Sequence, residues 1–332
     1  PSSLIGSDAF QETDITGVTL PITKHSYLVT RAEEIAPALR EAFEVARSGR
    51  PGPVVVDITK DAQLGHAPAE VTGSRRALRT STRPLASEAL ARAAEMIDRA
   101  ERPLIFCGHG VVKAGASELL LELVERADVP VAQTLLGLGG FPATHPRCLG
   151  MMGVHGEAWG NEAVQSADLI VALGMRFDDR VTGNLATYAR NAKKIHVELD
   201  PAEIDKNVRV DLPLVGDVKA ILEGLVPLVG ARERAGWNAE LGALRADAER
   251  RDVLRQPANG RLLGAHVIAD LYALTGGDAL IVSDVGQHQM WEAQYYKHDR
   301  PRSLLTSGGL GTMGFALPAA MGARFARPSD EI

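Results

Sequence analysis

The sequence predicts an α/β protein built on parallel sheets with helices on both faces. Three observations carry that prediction. Short aliphatic runs of the buried-strand type recur along the chain. Stretches with apolar residues at helical spacing alternate with them. Turns rich in Gly and Pro separate the two kinds of segment. A chain of 332 residues has room for two domains or more.

Residues 32–46 carry apolar side chains at helical spacing, and Thr30 with Glu33 resembles a capping box ahead of them. Pro53-Val-Val-Val-Asp-Ile58 is a β-branched run bounded by Gly-Pro and reads as a buried strand. Residues 64–86 are rich in Gly, Pro, Ser, Thr and Arg with little periodicity, and a linker is placed at 66–86. Ser87 to Arg99 has a helix pattern. Arg102-Pro-Leu-Ile-Phe-Cys-Gly108 reads as a strand, and a Gly-containing turn leads into a helix from Gly115 to Arg126. Further strands are expected at Val129-Pro-Val-Ala-Gln-Thr134, Asp168-Leu-Ile-Val-Ala-Leu-Gly174, Lys194-Ile-His-Val-Glu-Leu-Asp200 and Leu214-Val215. Residues 232–260 are highly charged, hold almost no β-branched side chains, and read as a helical linker (placed at 231–257) with a Pro-Ala-Asn-Gly stop. A helix from Gly264 to Thr275, the strand Ala279-Leu-Ile-Val-Ser-Asp284 and a helix from Phe315 to Phe325 follow. The expected organisation is one complete domain, 87–230, between two partial ones, 1–65 and 258–332. The chain starts at Pro1 without an initiator Met and stops just after Arg327-Pro-Ser-Asp-Glu331, so it is expected to be a piece of a longer protein.

Hydrophobic residues make up 45% and charged residues 23%, the balance of a soluble globular protein. Aromatics are only 5%, so the core is expected to be aliphatic. A net charge of -6 with scattered Arg and Lys argues against a nucleic-acid partner. Cys107 and Cys148 are too few for a disulfide framework and show no metal-ligand spacing; buried thiols in a reducing compartment, the cytoplasm, are expected. No apolar run reaches the ~18–20 residues of a membrane span, and the opening residues show no signal-peptide pattern.

Several clusters invite chemistry. Gly108-His-Gly110 lies between a strand and a helix, where backbone can approach a phosphate. Lys113 occupies the place of the third fingerprint glycine, so the motif is weak as a dinucleotide signature, and a plain tight turn stands beside it. Thr134-Leu-Leu-Gly-Leu-Gly-Gly140 also follows a strand. Ser307-Gly-Gly-Leu-Gly-Thr-Met-Gly314 is denser, and such a loop lets backbone pass close to a ligand. Ligands in open α/β sheets sit beyond the carboxyl ends of strands. Polar residues stand there at 174–180, at Glu198 with Asp200, and at Asp217. They suit ribose and phosphate contacts. Equally, Asp178, Asp179 and Arg180 could cap a helix and pair with one another. Asp284-Val-Gly-Gln-His-Gln-Met-Trp291 offers backbone N–H groups and side-chain donors to an anion just after a strand.

Taken in order, these strings resemble the thiamine-diphosphate-dependent acetolactate (acetohydroxyacid) synthase family. Gly6-Ser-Asp-Ala-Phe-Gln-Glu12 is similar to the family segment ending in an active-site Phe-Gln pair. Gly49-Arg-Pro-Gly-Pro-Val54 and Asp57-Ile-Thr-Lys-Asp61 resemble the end of its first domain. Arg176-Phe-Asp-Asp-Arg-Val-Thr-Gly183, Gly286-Gln-His-Gln-Met-Trp291 and Gly308-Gly-Leu-Gly-Thr-Met-Gly314 complete a collinear set over essentially the whole chain. Glyoxylate carboligase and pyruvate oxidase belong to the same superfamily, but the strings at 176–183 and 287–291 favour acetolactate synthase.

The resemblance implies a partial thiamine-diphosphate-binding fold flanking a complete, Rossmann-like central domain that carries FAD in a structural role. The implied reaction decarboxylates pyruvate and joins it to a second 2-ketoacid, pyruvate or 2-ketobutyrate. It opens branched-chain amino-acid biosynthesis, in the cytoplasm or, in a eukaryote, a plastid or mitochondrion. Implied catalytic residues are Phe10, Gln11 and Lys60, given across a dimer interface, with Arg180 near substrate entry and Met313 buttressing the cofactor. Gly286, Gln287, His288, Gly311 and Met313 would meet thiamine diphosphate. Arg50, Gly108, Gly110, Thr134, His155, Gly174, Arg176, Asp178, Glu198 and Asp217 would meet FAD. A homodimer or homotetramer and a regulatory small subunit are family partners. Two departures are small: Thr59 stands where Pro usually precedes the lysine, and Val154 precedes His155. The family's activating glutamate and its magnesium ligands fall outside these residues, so Mg2+ is implied without ligands here. Alone, residues 1–332 are expected to be inactive.

Overall fold

The computed structural model describes residues 1–67, 87–256 and 260–332. Most of the expected linker at 66–86, and the first three residues of the Pro-Ala-Asn-Gly stop, lie outside the described residues. The chain forms two compact units, Pro1–Thr82 and Arg83–Ile332.

In the first unit, β1 (His25–Val29) and β2 (Val54–Ile58) pair in parallel, with His25 opposite Val54 and Val29 opposite Ile58. The helix Ala32–Arg47 makes the crossover between them. The capping box expected at Thr30 is absent. The N-cap is Arg31, whose side chain makes no capping bond and instead pairs with Glu33 and Glu34 at 3.3 and 3.0 Å. Thr30 lies one residue too early to reach the helix amides, and the two glutamates complement the helix dipole themselves.

The second unit contains a six-stranded sheet of β3 (Pro103–Cys107), β4 (Val131–Gln133), β5 (Cys148–Met151), β6 (Leu169–Leu173), β7 (Lys193–Glu198) and β8 (Leu212–Val215). Its order is β5-β4-β3-β6-β7-β8, and every pairing is parallel. The order therefore reverses between β3 and β6, where doubly wound sheets open a crevice. Successive side chains leave a strand on opposite faces. Ile105 and Cys107 enter one core cluster, Leu104 and Phe106 the other. Burial on both faces is why these strands read as unbroken apolar runs.

Helices Ser87–Arg99, Ser117–Ala127 and Val218–Leu225 cover one face. Ala158–Ser166 and Ala235–Arg251 cover the other. The last of these is the stretch expected to be a linker. It is helical, but it is docked. Trp237 and Leu241 are buried in the core, and Trp237 Nε1 donates to the Pro103 carbonyl at 3.1 Å. Gly115, expected to open a helix, instead ends the short helix His109–Ala114 in the left-handed conformation that suits glycine. Beyond the sheet, β9 (Ile281–Ser283) pairs in parallel with β10 (Leu304–Thr306), with helices Gly264–Thr275, Gln287–Tyr295 and Ala316–Ala326 around them. No helix among the described residues is long and apolar enough to cross a membrane.

Candidate functional site

Strand ends of the six-stranded sheet gather most of the residues matched to FAD. Gly108 and Gly110 follow β3, and Gly174 follows β6, on either side of the point where the order reverses. Their backbones touch: Gly108 N–H donates to the Leu173 carbonyl at 3.0 Å, and Gly110 N–H to the Gly174 carbonyl at 2.9 Å. A Cβ on Gly110 would lie 2.5 Å from Gly174 Cα. These two amides thus serve the fold, and glycine is required by the neighbouring chain. Thr134 follows β4 and starts the turn Leu135–Gly137. His155 is exposed beyond β5, and its carbonyl accepts from Gln294 Nε2 at 2.8 Å.

Acidic residues at the later strand ends have partners of their own. Asp178 caps the turn Asp179–Thr182 and pairs with Arg176 at 3.1 Å. Arg180 pairs with Asp179 at 2.6 Å, which lowers the pKa of the carboxyl and raises that of the guanidinium. Glu198, the last residue of β7, accepts from Leu199 and Asp200 amides at 2.9 and 3.1 Å. Asp217, after β8, caps Val218–Leu225. The pairing read as the bland alternative is therefore present. Arg50 belongs to the first unit and is exposed after the helix Ala32–Arg47.

Within that first unit, the loop holding Phe10 and Gln11 folds around a carboxylate. Glu12 accepts from the Gly6 and Ala9 amides at 2.5 and 2.9 Å, and those bonds lower its pKa. Phe10 is left 93% exposed. Lys60 is the exposed first residue of the helix Lys60–Leu64, which follows β2. Its neighbour Asp61 accepts from the Ser2 amide at 2.8 Å, tying the opening segment to that helix.

A third group surrounds β9 and β10. Gly286 caps Gln287–Tyr295 with φ 155 and ψ -163, a region only glycine adopts freely. Gln287 and His288 are exposed on the first turn, and Gln289 Nε2 donates to Thr306 Oγ1 at 2.7 Å. Asp284, at the end of β9, accepts from the amides of Val285, Gly314 and Ala316 at 2.8, 2.9 and 2.9 Å. Those bonds, Ala316 first, lower its pKa. Asp284 thereby holds the loop 308–314 and the start of Ala316–Ala326 beside the Gly286 turn. Sequence reasoning missed this role, although an acid ending a strand was the signal used at Glu198 and Asp217. Gly311 and Gly314 have φ of 64 and 88, and Met313 between them is 79% exposed. An open helix N-terminus faces the same region as a loop of bare backbone, an arrangement that suits an anion.

Comparison with known proteins matches this layout. Residues 90–225 match the central domain of thiamine pyrophosphate enzymes, and residues 284–332 match their C-terminal thiamine pyrophosphate-binding domain. An acetolactate synthase of Mycobacterium bovis is 46% identical over 99% of this chain and 54% of its own length. Isozyme 3 large subunit of the Escherichia coli acetolactate synthase is 42% identical over 100% of this chain and 59% of its own. A probable acetolactate synthase large subunit of Methanocaldococcus jannaschii is 43% identical over 99% and 57%. The chain spans little more than half the length of these relatives. By both kinds of match the chain belongs to the thiamine pyrophosphate enzyme family, and the relatives it is similar to are acetolactate synthase large subunits.

Proposed function

We propose that these residues are part of an acetolactate synthase catalytic subunit, acting in the cytoplasm on pyruvate and a second 2-ketoacid. One observation carries this reading: identity of 42–46% over nearly the whole chain, a span that includes the candidate cofactor loops. The division follows the same reading: 1–65 closes a pyrimidine-binding domain, 87–230 is the central domain, and 258–332 opens a diphosphate-binding domain.

Geometry around Gly286 fits the cofactor. Gly286, Gln287 and His288 would hold the diphosphate at the helix N-terminus, and Gly311 with Met313 would face the cofactor body. When bound, thiamine diphosphate supplies the electron sink for decarboxylation and carbon–carbon bond formation. The protein's share is binding and orientation. Lys60, Phe10 and Gln11, contributed by a second subunit across a dimer interface, would line the substrate side, and Arg180 would take a ketoacid carboxylate in a forked contact. Its present partner Asp179 is exposed, so that exchange is easy.

Support for FAD comes from the strand order and from the row of matched residues at the ends of β3 through β8. The flavin's role would be structural. Since the Gly108 and Gly110 amides are engaged, FAD contacts there would be with side chains and remaining backbone. Magnesium belongs to the same proposal, and none of the residues named here is assigned to it. Leu310, Met313, Leu317, Met321 and Phe325 are exposed on one loop and helix. They favour an active site closed by a second subunit. A regulatory small subunit is part of the reading as a further partner.

The test is carboligation by the intact gene product with pyruvate, thiamine diphosphate, Mg2+ and FAD, with and without 2-ketobutyrate. Acetolactate formation dependent on the cofactors is the expected result. Pyruvate consumption without acetolactate would move the function to another branch of the family.

A further inference from the structure

We propose that Glu292 and His298 act as one hydrogen-bonded unit that positions the cofactor-facing start of the helix Gln287–Tyr295. The proposal rests on the thiamine diphosphate reading above. Glu292 lies one turn beyond His288 on that helix. His298 lies in the loop after it, and Ser303 immediately precedes β10. All three are buried, with relative exposures of 3%, 1% and 5%.

Their bonds have a fixed direction. Ser303 Oγ lies 2.8 Å from the Arg300 carbonyl, which can only accept, so the hydroxyl proton goes there. His298 Nδ1, 2.8 Å from the same Oγ, must then be the donor to it. His298 Nε2 lies 2.5 Å from Glu292 Oε1, so one proton sits between them. The chain Glu292–His298–Ser303–Arg300 is satisfied only with both of its first two members present. Glu292 Oε2 already has no partner, so losing His298 would leave the buried carboxyl without any.

The far end of this chain is anchored. His298 carbonyl accepts from the Ala143 amide at 3.2 Å. Asp299 accepts from the Thr144 amide and hydroxyl at 2.8 and 3.0 Å. An ideal Cβ on Gly139 would lie 2.3 Å from the Arg300 carbonyl oxygen, so the loop is pressed onto the central domain. Tyr296, fully buried, packs its ring 5.0 Å from the His298 ring and bonds Thr275 at 2.8 Å. Glu292 therefore ties the helix to a fixed post. Gln289 to Thr306 is the tie nearer the cofactor end.

The test is a double-mutant cycle in the intact gene product with Mg2+, read by tryptophan fluorescence on titration with thiamine diphosphate. Trp291, next to Glu292, is a reporter on the helix. Glu292→Ala and His298→Phe are each expected to raise the Kd about tenfold. Glu292→Gln, whose amide can donate to Nε2, is expected to stay within about twofold of wild type. The double variant Glu292→Ala/His298→Phe, which removes both polar groups, is expected to bind better than either single variant. Melting temperatures on the same samples separate positioning from support: a purely structural pair would lower them in the single variants and leave the Kd unchanged. That result, or a double variant no better than the weaker single, overturns the proposal alone. Failure of the wild type to bind thiamine diphosphate overturns the underlying reading and this proposal with it.

Discussion

Two glycine-rich regions in the second unit look alike in sequence and differ in kind. At the strand ends, an ideal Cβ would lie 2.3 Å from the Gly174 carbonyl oxygen at Gly108, 2.5 Å from Gly174 Cα at Gly110, and 2.1 Å from the Cys107 carbonyl oxygen at Gly137. In the loop 308–314, only Gly308 is pressed, by Leu136 side-chain atoms 2.7 Å from such a Cβ; Gly309 and Gly314 have no heavy atom within 4 Å, and Gly311 meets only Val285 at 3.8 Å. The first set is glycine because the fold presses on it. Gly311 and Gly314 are glycine because their backbone is left-handed, and the space around them is open. Glycine density alone therefore does not mark a ligand. Open space around the glycines, as at Gly309, Gly311 and Gly314, is the more informative sign.

The largest effect expected from this contrast is on stability. Gly110→Ala forces a methyl group into Gly174 and should cost about 2–3 kcal/mol, read by chemical denaturation. An unchanged midpoint would mean that the strand ends yield to an added methyl group. Asp284→Asn comes next. It should lower hydrogen-exchange protection at Gly314 and Ala316, because an amide cannot accept at both of its ends. The sign with pH follows from the lowered carboxyl pKa. Protection from Asp284 is present above the unfolded value of about 3.9 and is lost as pH falls through the lower folded value. Protection indifferent to both changes would show that the loop holds itself. Gly309→Ala should move stability by less than about 0.5 kcal/mol while weakening thiamine diphosphate binding in a titration. Equal binding would place the ligand away from that backbone.

Much of the fold was legible because two-sided burial leaves a strong mark. The runs at 103–107 and 169–173 are apolar at every position and are strands in the structure. β5, Cys148-Leu-Gly-Met151, carries a glycine and no β-branched residue, and it gave no such mark. The helix Ala235–Arg251 hid its contact in a few apolar positions, Trp237, Leu241, Leu244 and Ala248, among charges. The site was legible as positions and not as partners. Asp178 and Asp217 stand at strand ends as read, yet their oxygens cap the next helices. Which amide an acid meets depends on where the following turn goes, and that is set by packing far away in sequence.

Arg180 breaks the contrast between the two regions, and it gives the smallest expected effect. It stands at the strand-end edge, where its neighbours are engaged within the fold. Yet its own partner is the exposed, adjacent Asp179. An exposed pair of this kind contributes little to folding, so Asp179→Asn should leave the melting temperature unchanged. It should also free the guanidinium from a competing carboxylate. If Arg180 takes the ketoacid, the KM for pyruvate should fall modestly in Asp179→Asn and rise in Arg180→Gln, with stability constant in both. A KM indifferent to both substitutions would return Arg180 to the strand-end pattern, as a surface residue paired with its neighbour, and would leave the ketoacid carboxylate to be held from elsewhere.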